Sequence, residues 1–531
     1  MQKPLYCLML LCVFTALSCC EPPDPPAPAC APADNGSGTV AAPELLATLS
    51  DRYQNAWLSS PAVADLDSDG QMEIIVARSN LVNVWHLDNT LVLQLETRSS
   101  GSSRIWAPPV VADIVPARPG LEIAVAAREK IYVWDAQGNE VSGFPVTWKD
   151  EVRSLAAGDI DGDGALELVA GTIMQAESDN GQEEPLIAYN HDGSVVKGFP
   201  PNATGSGGCD ENCWVFPGVD QNIAIGDVNA DGRLDILSGQ DNAYLSLLDG
   251  GGTYFDAADI FEGISKFPGI RFLHDYEEAI QHYSSDKENA LQSHFTHSSP
   301  AIADIDGDGT NELVILAAVT NVSQSNRDLG VALWVLHSDG SRHPDWTEPF
   351  YVPEFLDGLV DLGDNIVAAT NQVTVADINP ESAGPELLFA GVDGLIHCVS
   401  AARRELWSYT YTRSKGVLTG GVTVADLSGD GVPEIVFASY STKEKASHLF
   451  ILDAGGALLH KTALPGRGVM PVPTIADADG NGTLEIILSL KDGEDRVQQV
   501  LVYTVPGSSE NCLLWPTGRC NYLRNGDVSS L

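Results

Sequence analysis

Short apolar runs rich in β-branched residues alternate along most of this chain with loops crowded with Asp and Gly. The stretch "SPAVADLDSDGQMEIIVA" is the first instance. The runs before such loops ("SPAVAD", "SPAIAD", "VPTIAD") and after them ("EIIVA", "ELVIL", "EIILS") have the length and composition of β-strands. A third run follows and ends in a hairpin turn, as in "VWDAQGNEV", "AYNHDGSVV", "VLHSDGSR" and "ILDAGGALL". A fourth run closes the unit, twice through "GFP" at 143–145 and 198–200.

The unit recurs. After "ADLDSDGQMEIIVA" come "GDIDGDGALELVAG", "GDVNADGRLDILSG", "ADIDGDGTNELVIL", "ADLSGDGVPEIVFA" and "ADADGNGTLEIILS". Two degenerate copies, "ADIVPARPGLEIAVA" at Asp113 and "ADINPESAGPELLFAG" at Asp377, are one residue longer and lack most of the central acids. Four antiparallel strands per unit, repeated eight times, predict an all-β fold: a β-propeller of four-stranded blades. Eight blades are expected, with seven and a divided unit as the alternative. A β-solenoid would have shorter repeats.

Each of the six intact loops places Asp, Asn or Ser at positions 1, 3 and 5, Gly at 6 and an acid at 9. Oxygen donors at alternate positions around a sharp glycine turn suit a hard cation, Ca2+ above all. Mg2+ would keep more water, and the loops offer no His or Cys for zinc or copper. A backbone carbonyl is expected from position 7. The candidate ligands are Asp65, Asp67, Asp69, Gln71 and Glu73 in the first loop, and Asp159, Asp161, Asp163, Ala165 and Glu167 in the second. The third has Asp227, Asn229, Asp231, Arg233 and Asp235; the fourth has Asp304, Asp306, Asp308, Thr310 and Glu312. Asp426, Ser428, Asp430, Val432 and Glu434 make the fifth, and Asp477, Asp479, Asn481, Thr483 and Glu485 the sixth. About six Ca2+ sites follow. An EF-hand would close at position 12 between helices, which this pattern does not do. Two unit charges 4 Å apart repel by roughly 4 kcal/mol near a protein surface, so a divalent guest turns the crowding into attraction.

These D-x-D-x-D-G-x-x-E/D loops resemble the FG-GAP (VCBS) repeat family, which includes the propeller of integrin α-subunits, over about residues 45–520. The resemblance implies a Ca2+ held between strands one and two of each intact blade, and no metal at the two degenerate copies. No integrin-like inserted domain is visible.

Composition narrows the setting. The net charge is −44, from 73 acidic and 29 basic residues, which argues against nucleic acid or an anionic membrane as partner. With 44% hydrophobic residues the chain nevertheless folds. "MQKPLYCLMLLCVFTALSCC" is laid out as a secretory signal, and "TALSCC" resembles a bacterial lipobox with Cys19 or Cys20 as the lipidated residue. The expected organisation is a signal at 1–19, a Pro-rich flexible linker at 20–43 and the propeller at 44–531. Membrane contact would come through the lipid alone, on the outer membrane or cell surface. Export permits disulfides, for which Cys209 with Cys213 and Cys512 with Cys520 are candidates; Cys30 and Cys398 have no evident partner. The C-terminal "LLWPTGRCNYL" is expected to supply the last outer strand.

Successive first aspartates lie 46–51 residues apart except for three steps of 68, 77 and 73. The surplus forms insertions at about 172–184, 201–221, 254–297, 320–329 and 344–368, expected on the face opposite the calcium loops. The segment at 274–297 reads as helical. Trp214, Phe216, Tyr254, Phe255, Trp346, Phe350 and Tyr351 are candidate ligand anchors there. No catalytic motif stands out, so the expected function is a non-enzymatic scaffold for a protein or glycan. The alternative is a calcium-dependent, lyase-like polysaccharide enzyme.

Overall fold

In a computed structural model the chain forms eight small antiparallel sheets arranged as an eight-bladed β-propeller. The structure describes residues 30–33, 36–50, 55–98, 104–116, 118–148, 151–173, 186–201, 223–239, 245–253, 255, 291–294, 299–321, 328–339, 341–353, 356, 372–442, 446–491, 500–509 and 512–530.

β1 (Glu44–Leu49) precedes the first complete blade, which consists of β2 (Ala62–Ala64), β3 (Glu73–Arg78), β4 (Leu81–Trp85) and β5 (Leu91–Glu96). Blade two is β6 (Val110–Ala112), β7 (Glu122–Ala127), β8 (Lys130–Trp134) and β9 (Val146–Thr147). Blade three shows β10 (Glu151–Gly158), β11 (Glu167–Ile173) and β12 (Leu186–Tyr189); blade four shows β13 (Ile223–Gly226), β14 (Asp235–Gly239) and β15 (Leu245–Asp249). Blade five adds β16 (Leu291–His294) to β17 (Ala301–Ala303), β18 (Glu312–Asn321), β19 (Asp328–Leu336) and β20 (Phe350–Val352). Blade six is β21 (Thr374–Ala376), β22 (Glu386–Ala390), β23 (Leu395–Ser400) and β24 (Glu405–Thr410). Blade seven is β25 (Val417–Ala425), β26 (Glu434–Ser441), β27 (His448–Leu452) and β28 (Leu458–Ala463). Blade eight combines β29 (Thr474–Ala476), β30 (Glu485–Ser489) and β31 (Val500–Thr504) with β1.

Second strands such as β3 and β7 are buried at every residue because a neighbouring blade covers each face. That is why they read as unbroken apolar runs rather than alternating ones. The core therefore lies between blades. Tryptophans stitch it: Trp346 in blade five donates to the Ala401 carbonyl in blade six, and Trp407 in blade six to Ala454 in blade seven.

Ring closure departs from expectation. The outer strand of blade eight comes from the N-terminus, with Leu45 opposite Tyr503 and Leu49 opposite Val500. The C-terminal segment goes inward instead. β32 (Leu513–Trp515) pairs with β25, and the chain then circles the axis along the innermost strands. Its carbonyls accept from Ile475 of blade eight and from Val111, Ala157, Ile225 and Ile302 of blades two to five, at 2.8–3.1 Å. Arg524 reaches the Pro61 carbonyl of blade one, and the Arg519 N–H donates to Gln372 beside blade six. The tail thus touches all eight blades and runs around the central channel. Its course is set by unpaired backbone groups on the inner strands, which its peptide groups satisfy.

The cysteine expectation is corrected as well. Cys512 is bonded to Cys30, not to Cys520, and Cys520 is a free buried thiol beside the channel. Residues just after Cys30 lie along the blade-seven loop, where Ala33 and Ser37 donate to the Gly429 and Ser428 carbonyls. Cys398 is free and buried in β23. Cys19, Cys20, Cys209 and Cys213 lie outside the described residues.

Most inserted residues also lie outside the described set. Of the segment read as helical, residues 291–294 form β16, a strand paired with β18. The 320–329 insertion prolongs β18 and β19, whose far end lies opposite the loop that joins β17 to β18. Among the described residues, no helix is long and apolar enough to cross a membrane.

Candidate metal centres

Each repeated loop joins the first strand of a blade to its second, and two hydrogen-bond devices shape it. The first aspartate accepts the N–H of the position-6 glycine: Gly70 to Asp65 at 3.0 Å, Gly164 to Asp159 at 3.0 Å, Gly309 to Asp304 at 2.9 Å. Gly232, Gly431 and Gly482 do the same for Asp227, Asp426 and Asp477. These glycines have φ near +90°, a conformation costly for other residues, which explains the fixed Gly. The position-5 side chain accepts from position 7, as when Gln71, Ala165 and Thr310 donate to Asp69, Asp163 and Asp308 at 2.7–2.8 Å. Arg233, Val432 and Thr483 repeat this with Asp231, Asp430 and Asn481.

The closing acid, on the first residue of the second strand, performs a task that was not legible in the sequence. One carboxylate oxygen accepts the N–H of the residue after the first aspartate. The donors are Leu66, Ile160, Val228, Ile305, Leu427 and Ala478, at 2.7–3.2 Å. The two degenerate loops keep the device: Glu122 accepts from Ile114, and Glu386 from Ile378. Every blade therefore ties its first strand to its second with a buried carboxylate, metal or no metal.

Acids converge in four of the six intact loops. Asp65, Asp67 and Glu73 each place an oxygen within 4.8 Å of the others, as do Asp159, Asp161 and Glu167. Asp304, Asp306 and Asp308 do so, and likewise Asp477, Asp479 and Glu485. In blades four and seven, where position 3 is Asn229 or Ser428, three acids do not come this close among the described residues. Burial, and then the neighbouring aspartates, push Glu167 and Glu312 up to about 7. Burial pushes Asp235 and Glu485 to about 7 and Glu434 to about 8. The loops as they stand hold negative charge at a cost.

The donor set fits a hard cation. Glu167 is 1% exposed, and its Oε1 has no hydrogen-bond partner while its other oxygen is held by Ile160. A buried, unpaired carboxylate oxygen beside two aspartates is an incomplete polar group that a divalent ion would complete. In the first loop the corresponding oxygen of Glu73 lies 2.9 Å from His86 Nε2. The degenerate loop of blade two brings its own cation: Arg118, within the loop, pairs with Asp135 at 3.0 Å and helps to offset the charge of Glu122. The substitution of "PAR" for the central acids was the sequence signal for this.

Of the expected aromatic anchors, Phe255, Phe350 and Tyr351 are partly buried against the core and Trp346 wholly so. Trp346 is fully buried and packs blade five on blade six; Phe350 stacks edge-on against Phe389. Trp214, Phe216 and Tyr254 lie outside the described residues.

Neither a protein-family model nor a curated protein matches the chain. Among solved structures it is similar to the V. cholerae biofilm matrix protein Bap1, at 13% identity over 91% of this chain and 96% of that one, with a TM-score of 0.40. It is also similar to the Dos1 propeller (12%, covering 86% and 95%, TM-score 0.47) and to BamB from Moraxella catarrhalis (12%, covering 84% and 96%, TM-score 0.39).

Proposed function

We propose that this chain is an exported lipoprotein of the FG-GAP (VCBS) type, in which Ca2+ stiffens the blade loops of a non-enzymatic scaffold that binds a protein or glycan. The observation that carries the metal reading is the convergence of Asp159 and Asp161 on Glu167, whose buried Oε1 has no partner; Glu122 and Glu386 of the degenerate loops have the same bare oxygen but no such cluster. The first aspartates, the central position-3 and position-5 groups and the closing acids of the six loops would hold the ions, with Glu73, Glu167, Asp235, Glu312, Glu434 and Glu485 closing the cages. The bound ion would supply charge neutralisation, not chemistry at a substrate. The tail along the innermost strands supports a scaffold whose ligand meets the loop faces or the rim, since it occupies the backbone groups that face the axis. The face opposite the metal loops, where the long hairpin of β18 and β19 ends, is the surface we assign to the ligand.

Elemental analysis of the purified full chain after equilibration with calcium should return about six ions per chain, and fewer than two would sink the metal reading. Arrays of glycans and surface proteins should register calcium-dependent binding without turnover. Release of unsaturated sugars from an acidic polysaccharide would replace the scaffold with a lyase.

A further inference from the structure

The register of the blades makes their outer strands directly comparable. In blade one, Ile74 faces Trp85, which faces Leu91 on the outer strand. The same path leads to Leu458 in blade seven, through Ile435 and Leu452, and to Leu45 in blade eight, through Ile486 and Tyr503. In three other blades it ends on a charge: Glu140 in blade two, Arg342 in blade five and Glu405 in blade six. Three consecutive blades, seven, eight and one, thus carry Leu where these carry charged residues.

These leucines are not covered. Leu45 is 53% exposed, Leu91 40% and Leu458 44%, and the next residues, Leu46, Val92 and Leu459, are exposed too. Six of the eight large apolar side chains exposed among the described residues lie in this one arc. All six sit at the ends of outer strands nearest the metal loops. Scattered apolar residues need no explanation, but exposed apolar pairs at one register in three successive blades do.

We propose that this arc is the edge on which the propeller rests against the lipid bilayer that carries its anchor. This rests on the lipoprotein reading above. The chain enters the fold at the same place: Cys30 is stapled to Cys512, the Val40 carbonyl accepts from His460 of β28, and β1 follows at once. Cys30 lies ten positions after Cys20. At no more than about 3.6 Å per residue, a lipid at Cys19 or Cys20 stays within roughly 40 Å of Cys30, which is fastened at blade seven, one of the three blades of the arc. A second copy of the chain is the poorer occupant, because two bodies of net charge −44 repel, whereas zwitterionic lipid does not. Leucine pairs at a bilayer interface add a second contact to a lipid tether and fix orientation as well as attachment. The disc would stand on the rim of blades seven, eight and one, with the opposite loop face turned away from the membrane.

The test uses the full lipidated chain in phosphatidylcholine vesicles containing spin-labelled lipid. A genetically encoded fluorescent residue replaces Leu45, Leu91, Leu458 or, as control, Val195. Val195 occupies the same register in blade three and is 46% exposed. Quenching several-fold stronger at 45, 91 and 458 than at 195 supports the proposal. At each labelled position it should be lost when the other two of the three leucines are changed to Glu (Leu45→Glu, Leu91→Glu, Leu458→Glu, two at a time) in a variant of unchanged melting temperature. Equal quenching at all four positions overturns it, as does protection of the arc by dimerisation in the absence of vesicles. Intact mass reports lipidation separately. If no lipid is found, the lipoprotein reading fails, and the free chain added to the same vesicles still tests the arc: the same ranking supports it, and no quenching overturns it.

Discussion

The guanidinium of Arg524 donates to the carbonyl of Pro61 at 2.9 Å, locking the C-terminal tail to the threshold of the first blade. The same group reaches the carbonyls of Ser60, Pro109 and Gly518 and the hydroxyl of Thr517. Burial lowers its pKa to about 9, so it stays charged at neutral pH, held by carbonyl dipoles. Arg524→Ala would take this donor from the Pro109 and Gly518 carbonyls, while Pro61 keeps the Thr474 hydroxyl, and each buried group left unsatisfied costs about 1–3 kcal/mol. We expect a loss of about 3 kcal/mol or more in urea denaturation, with only limited rescue by Lys, which lacks the planar fork. An unchanged midpoint would show that the tail is not integral to the ring.

The Cys30–Cys512 bond joins segments 482 residues apart and pins the N-terminal strap over the blade-seven loop. Replacing both cysteines with Ser should cost about 2–4 kcal/mol. Brief proteolysis read by mass spectrometry should then cut first between residues 30 and 43, with the blades still resistant. Equal resistance in both forms would count against the strap.

The strands and the repeated Asp/Gly loops were legible because each is local: a period, a turn and five residue types within one short window. The tail was not. "CLLWPTGRC" has the apolar content of an outer strand, and nothing in it says that Trp515 will face β25 inside the channel. Likewise, Cys512 and Cys520 are close in sequence, whereas Cys30 reaches Cys512 only because β1 closes the last blade. The arginines gave no sign of burial, since the carbonyls that hold them come from other blades.

The closing acids allow the capping role to be separated from the metal role proposed for the intact loops. Glu122 caps Ile114 and Val115 in a loop that lacks the central acids. Glu122→Ala should therefore destabilise by about 1–3 kcal/mol equally with calcium and with chelator. Changing Asp304, Asp306 and Asp308 together to Asn should instead lower the bound-ion count by about one and the melting temperature only when calcium is present. Calorimetry with and without chelator distinguishes them. A calcium-dependent effect at Glu122 would contradict this division.

His397 sits in a cage of carboxylates and aromatic rings in blade six, away from the repeated Asp/Gly loops. Its ring nitrogens lie 2.9 Å from Glu405 and 3.1 Å from Asp393, and the aromatic faces of Phe389 and Phe350 complete its surroundings. Burial opposes its charging, but Asp393 and Glu405 outweigh that and raise its pKa above the ordinary 6.5. A raised folded pKa stabilises fully below the unfolded value, and the gain is lost as pH rises through the folded one. The melting-temperature gap between the natural protein and His397→Gln should thus be wide at pH 6 and narrow at pH 9. A gap that widens with pH would refute the cage.

The "GFP" turns serve as hooks between blades rather than as loose loops. Gly143 has φ +97°, and a Cβ there would fall on the Asp192 carbonyl of the next blade. Gly198 meets Gly251 in the same way one blade further on. Gly507 is the natural control, with φ +87° and nothing within 4 Å of where its Cβ would stand. Alanine at 507 therefore carries conformational strain alone, about 1 kcal/mol. Alanine at 143 carries that strain and must also push apart the backbones of adjacent blades, and blade-to-blade packing is where the core lies. We expect Gly143→Ala to lose at least about 2 kcal/mol more than Gly507→Ala in urea denaturation. Equal losses would mean that blade two and blade three meet more loosely than this contact implies.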